Sequence, residues 1–300
     1  MVLFFGSLQL GLIYALLAMG IFISFRILKI PDLTVDGSFT LGLAVSAALT
    51  AAGSPVLGLV LGIIAGGGAG IVTGTLQTKM RIHPILSGII TMSGLYTVNL
   101  YVLGSRSNLT LIGVDTVFRI LIDALDVHRD LTRTLLPLLI CAALGLFLFW
   151  FFRTHLGLCI RATGSNESMV RASSIPVDRT KIIAFAVSNG CVALSGAVLA
   201  QYQGFADIGS GVGILVVGLA SVIIGEAFFG RRSIGIGILS VIFGSLVYRF
   251  IIALALSTAI FPAFALRLVS AVIVVLALSL PEIRNRLAKM KKRRERHSHA

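Results

Sequence analysis

Apolar runs of membrane-crossing length, most of them closed by a basic cluster, constrain this chain more than any other feature. Residues 2–25 contain no charged side chain, and Arg26 and Lys29 follow. Further runs cover residues 38–52, 55–77, 84–103, 135–152 and 182–203, a stretch ending at Phe229, then 234–256 and 261–280. A helix needs about 20 mostly apolar residues to cross a bilayer. With 57% hydrophobic residues, 12% charged ones and a mean hydropathy of +1.00, the chain has too little polar surface for a soluble domain of its length. In hydrocarbon the backbone must be satisfied within helices or a closed barrel. These runs are too long and alternate too little for barrel strands. The expected fold is therefore all-α, a polytopic membrane bundle of about nine helices. Residues 1–283 form one transmembrane domain, and 284–300 a basic cytoplasmic tail.

The basic residues orient the bundle. Arg26 and Lys29, then Lys79, Arg81 and His83, the 153–181 stretch, Arg231 and Arg232, and the tail all fall on one side when the spans alternate. Retention of positive loops in the cytoplasm then places the N-terminus outside and the C-terminus inside. No basic segment precedes the first run, which argues against a cleaved signal peptide. The net charge of +13 comes largely from the tail. Basic flanks beside spans answer to anionic lipid headgroups, so the expected partner is membrane lipid and not nucleic acid. Cys141, Cys159 and Cys191 offer neither a metal spacing nor a disulfide framework.

Several span residues are unusual at membrane depth. Gly58, Gly62, Gly66, Gly70 and Gly74 recur every fourth position and make one small-residue face, suited to close helix packing within one subunit or between two. Thr91, Tyr96 and Asn99 lie near one stripe of the fourth span, which either lines a solute path or bonds to a neighbouring helix. Pro31 and Asp32 precede Asp36-Gly37-Ser38, a turn signal followed by a fresh cap. Either the element is broken, with a new helix starting at Ser38, or a single helix starts at Pro31 with Asp36 near its first turn; broken helices inside a membrane line cavities. ALLAMG…IPDLTVDGS after the first span is echoed by ALSGAVLAQYQGFADIGSG after the sixth, in the opposite direction, as in an inverted repeat. Charged groups at depth are functional candidates by default. Glu226 either pairs with Arg231 or Arg232 or contacts a cytoplasmic gate. Arg249 and Arg267 either pair with outer aspartates or meet a solute carboxylate. Asp32, Asp36, Thr91, Tyr96, Asn99, Asn189 and Arg249 form the candidate solute path. Between the fourth and fifth spans, Phe118, Leu121, Ile122 and Leu125 recur at helical spacing and suggest an amphipathic helix on the outer surface.

The polar run 153–181 holds a short, well-specified helix. Ser165 or Asn166 caps it, Glu167 sits in its first turn, Arg171 follows four residues later, and Pro176 ends it. Met169 and Ala172 share a face. So short a helix gains little alone and needs a partner surface.

At these residues the chain resembles the permease subunits of ABC importers of the branched-chain amino acid type. The resemblance rests on Arg161-Ala162, Asn166-Glu167, Met169, Arg171-Ala172, Ile175-Pro176 and Asp178-Arg179, and extends to IPDLTVDGSF and LASVIIGEAFFG. It implies that this loop carries the coupling helix, with Arg161, Asn166, Glu167, Met169, Arg171, Ala172, Ile175 and Pro176 docking on an ATPase subunit. Ser174 departs from the pattern, which usually has Gly there. The resemblance further implies a bacterial inner-membrane protein, a second permease copy in a homodimer, and an extracytoplasmic substrate-binding protein. The family handles branched-chain amino acids, sugars and nucleosides, and the IPDLTVDGSF subgroup looks like permeases paired with lipoproteins thought to bind aromatic amino acids. A small amino acid-like solute, aromatic or branched-chain, is the expected cargo.

The chain has no G-x-x-x-x-G-K-[ST] motif, so ATP is expected on partner subunits, with no catalytic residue, cofactor or metal on this chain. The alternative is an ion-coupled secondary transporter, which would want buried carboxylates near mid-membrane, whereas Asp32, Asp36 and Glu226 all fall towards the inner side. That alternative leaves the cytoplasmic helix without a task.

Overall fold

A computed structural model of the chain describes residues 2–125, 129–230 and 233–257, together with Leu268, Ala271, Val272 and Val275. Most of the ninth apolar run, the basic tail, Arg231, Arg232 and Arg267 lie outside the described residues.

Helix α1 (Val2–Ile21) continues as a π-helical stretch, Phe22–Ile27. Then come α2 (Val35–Ala51), α3 (Pro55–Thr78) and α4 (Pro84–Val102). A strand β1 (Asn108–Thr110) precedes α5 (Val117–Leu125) and α6 (Arg129–Phe151). Two short helices, α7 (His155–Ser165) and α8 (Glu167–Ala172), lead into the long α9 (Val177–Gln203). Strand β2 (Phe205–Asp207), a 3-10 turn (Ile208–Gly211), α10 (Ile214–Phe229) and α11 (Ile234–Ser257) follow. Among the described residues, seven helical stretches are long and apolar enough to cross a membrane: Phe4–Ile27, Pro55–Thr78, Pro84–Val102, Leu131–Phe151, Val177–Gln203, Ile208–Phe229 and Ile234–Ala255. Helix α2, at 17 residues, falls short. The molecule is an all-α polytopic bundle with one small β ribbon, β1 pairing antiparallel with β2.

Helix α9 is the axis of the bundle, with its residues 188–201 all buried. Small residues bring three helices against it. Gly62, Gly66, Gly70 and Gly74 of α3 lie on Ala197, Ala193, Phe185 and Ile182 respectively, and Gly58 lies on Ser46 of α2. The glycine stripe is thus an internal packing face. With no hydrophobic drive between helices in lipid, close approach and dispersion hold them. Hydroxyls then bond across helices: Ser188 and Ser195 donate to Gly20 O and Ile13 O of α1, each at 2.8 Å. Ser46 donates to Ala197 O at 3.0 Å.

These contacts also fix direction. Moving up α9 from Ser188 to Ser195 moves back along α1 from Gly20 to Ile13, so the two long helices are antiparallel. Each is followed by a non-helical segment and a short helix, α2 of 17 residues and α10 of 16.

The interruption after α1 does not lie where the sequence suggested. Asp36-Gly37-Ser38 is not a turn, because one helix runs from Val35 through all three. The break is earlier, at residues 28–34, with Lys29 in the left-handed region at φ 58°. Two physical facts mislead a reader of the sequence. Gly37 serves close approach to Met92 and Leu95 of α4, and the Asp36 carboxylate caps a different helix.

The expected amphipathic helix is present as α5, with Phe118 buried and edge-on to Tyr202 of α9. The Val117 amide donates to Gln201 Oε1 at 3.0 Å, so α5 is fastened to the bundle and does not merely rest on lipid.

Candidate functional site

The polar loop folds as two helices, not one. Thr154 opens α7 by accepting from the Gly157 amide at 3.3 Å. Gly164 sits tightly against the Ile27–Leu28 backbone, which holds α7 on the break after α1. Asn166 then caps α8, its Oδ1 accepting from the Met169 amide at 3.1 Å and from the Ser168 hydroxyl at 2.7 Å. Of the two expected caps, Asn166 is the one used. Arg171 Nη2 reaches Glu167 Oε1 at 2.9 Å, the expected i,i+4 pair. Met169 is 64% exposed and Ala172 is exposed, whereas Val170, at 2%, anchors the helix. Pro176 stands at the start of α9, beyond the turn. Arg161 lies on α7 and lines a separate cavity with Arg26, Lys29 and Glu226, where Glu226 pairs with Arg26.

Glu167 has a second partner that local spacing does not reveal. Lys181, in the first turns of α9, places its Nζ 2.7 Å from Glu167 Oε2. The lysine is 16% exposed at its side chain, and the glutamate 42%. The hydrogen bond from Lys181 is the largest influence on the Glu167 carboxyl; burial opposes it, and Arg171 adds to it, so the group is held below the ordinary carboxylate range. A depressed carboxyl contributes its stabilisation above the unfolded value, about 4.3, and loses it as pH falls through the folded one. The α8–α9 tie should therefore persist at pH 5 and loosen only below the ordinary range. Fluorescence anisotropy of a dye on Ala172→Cys should stay flat through the ordinary carboxylate range and fall only below it. The same probe on Lys181→Met should report a looser helix already at pH 7.

The turn after α8 places Ser174 at φ 60°. A left-handed L-residue costs about 1–2 kcal/mol, more than the 0.5–1 kcal/mol entropic penalty of glycine. Ser174→Gly should therefore raise the thermal midpoint slightly, and Ser174→Val should lower it.

The candidate solute-path residues divide into two groups. Asp36, Tyr96 and Asn99 meet at one cavity of about 410 Å³, with Thr40, Met92, Ser93, Ile208 and Gly211. Asp36 reaches across to the start of α10, accepting from the amides of Gly213 (2.9 Å) and Leu215 (3.0 Å). A carboxylate at that position complements the positive end of the helix dipole. Asn99 Nδ2 donates to Gly37 O at 3.2 Å.

The others lie outside that cavity. Asp32 is fully buried, accepting from Asn189 Nδ2 (2.7 Å) and the Thr34 amide (2.9 Å), and so ties the break to α9. Thr91 donates to Ser87 O within its own helix. Arg249 lies over the Tyr14 ring, 3.9 Å from its centre, and makes no ion pair with an outer aspartate among the described residues. The shared stripe of α4 is the buried one, Ser87, Thr91, Leu95 and Asn99, with Tyr96 on the exposed side.

Residues 3–278 match the family described as branched-chain amino acid transport system / permease component. The chain belongs to this permease family. A tyrosine transport system permease protein of Clostridioides difficile is 34% identical over 266 residues, 88% of this chain and 86% of its own. An uncharacterized protein of Rickettsia prowazekii is 34% identical over 278 residues, covering 91% and 95%. More distant is the D-allose transport system permease protein of Escherichia coli, 28% identical over 237 residues, 77% of this chain and 69% of that one. No solved structure matches. The permease is thus a multi-pass membrane component of an ABC transport system.

Proposed function

We propose that this permease is the membrane-spanning subunit of an ABC importer in a bacterial inner membrane, with its N-terminus outside. It works as a homodimer, receives a small amino acid-like solute from an extracytoplasmic binding protein, and is driven by ATPase subunits. The observation that carries this reading is the construction of α8. A capped helix with an exposed methionine is tied through Glu167 and Lys181 to α9, the axis on which α1, α2 and α3 pack. Closure of an ATPase pair at Glu167–Ala172 would thereby move α9, and with it the helices that frame the cavity at Asp36. Arg161, Ile175 and Pro176 flank the docking helix. Similarity to a tyrosine transport permease favours an aromatic amino acid.

Reconstitution tests the reading. Solute uptake into vesicles should require the purified ATPase subunit and ATP. Uptake by the permease alone under a proton or sodium gradient would point to ion-coupled secondary transport.

A further inference from the structure

The cavity between α2, α4 and the Ile208–Gly211 turn is electrostatically one-sided. Among the described residues its lining holds one carboxylate, Asp36, and no Lys, Arg or His. The positive end of α10 is already occupied, because Asp36 accepts from its first amides. An anionic group entering here meets a carboxylate and finds no free cation.

The facing wall adds a second acceptor. Asn99 is 1% exposed, and its Nδ2 donates to the carbonyl of Gly37, the residue next to Asp36. Its Oδ1 is buried without a hydrogen-bond partner. Buried polar atoms are nearly always paired, and here the protein supplies no partner for an acceptor on a residue that lines the cavity. The Thr40 hydroxyl spends its proton on Asp36 O at 3.0 Å and presents only lone pairs elsewhere. Hydroxyls of Ser93 and Tyr96 complete the polar lining. One negative charge, an orphan acceptor and no cation match a positively charged hydrogen-bond donor.

The geometry points to this cavity as a transit site for a solute bearing a protonated amine, with Asp36 as counter-charge and Asn99 Oδ1 as second acceptor. The inference rests on the importer reading and narrows it to ammonium-bearing solutes over uncharged sugars. Each Asp36 oxygen accepts one backbone bond and keeps lone pairs for the ammonium. The apolar part of the solute lies along Met92, Ile208 and the Tyr96 ring.

The test uses the full chain in lipid nanodiscs. Cys141, Cys159 and Cys191 are buried, so a Ser93→Cys variant should be the main site of maleimide labelling. Tyramine should slow that labelling, whereas 3-(4-hydroxyphenyl)propionate and D-allose should not. Adding Asp36→Asn should raise the tyramine concentration needed by about tenfold, since a charge-assisted bond is lost. Because Asp36 also caps α10, Asn99→Leu is the second variant, with a shift of about threefold or more. Equal protection by the acid or the sugar, a Ser93→Cys site that does not label, or unchanged tyramine protection in both variants would overturn the inference. ATPase co-purification from the same preparations is read separately, so failure of the importer reading is visible apart from failure of the amine site.

Discussion

Leucine at Gly66 should leave little or no folded permease in the membrane. A β-carbon there would overlap Ala193 and lie 2.7 Å from Asn189 O, on a tightly packed face of α9. Overpacking a well-packed core costs about 1–3 kcal/mol when side chains can shift. Here the obstacle is partly backbone, and two whole helices must separate. Against a total stability of about 5–15 kcal/mol, that loss is expected to be decisive. Gly68 supplies the control, since it is exposed and a β-carbon there meets nothing within 4 Å. Fluorescence-detected size exclusion of the two variants decides the matter. A monodisperse Gly66→Leu peak as strong as that of Gly68→Leu would mean that the α3–α9 contact contributes little.

The second large effect is functional. Met169→Asp should abolish co-purification of the ATPase subunit while leaving the permease folded. The side chain is 64% exposed and makes no core contact, so its replacement should cost stability only within about 0.5 kcal/mol. A charge placed at the centre of an apolar docking contact is costly unless paired. Glu167→Arg should act similarly by a different route, because it sets a third cation beside Arg171 and Lys181. Undiminished ATPase recovery with Met169→Asp would remove α8 as the docking element.

What could be read from the chain beforehand was whatever depends on local spacing. Glycines at every fourth position can only form one helical face, and the structure puts that face on α9. Asn166, Glu167 and Arg171 lie within six residues of sequence, and their cap and ion pair form as the spacing suggested. Features that depend on distant partners were not legible. Asp36-Gly37-Ser38 looks like a turn because its residues favour one, yet its aspartate is recruited by an amide 177 residues away. Lys181 sits fourteen residues from Glu167 across two turns, with no periodic signal linking them. The β1–β2 ribbon uses strands of three residues, too short to show alternation. Asn99 was singled out for a polar face that also held Thr91, but only the packing of α4 shows which of these side chains keeps an unmet atom.

The bond from Asp36 to the start of α10 has a bearing on biosynthesis. Its two partners are 177 residues apart in sequence. At a translation rate of about 5–20 residues per second, roughly 9–35 s pass between the emergence of the aspartate and that of the amide that donates to it. For that interval α2 holds a carboxylate with no mate, inside or beside the insertion machinery. Nascent chains arrested before Gly213 should therefore be the form most readily seized by quality-control proteases, and release from that vulnerability should coincide with the arrival of α10.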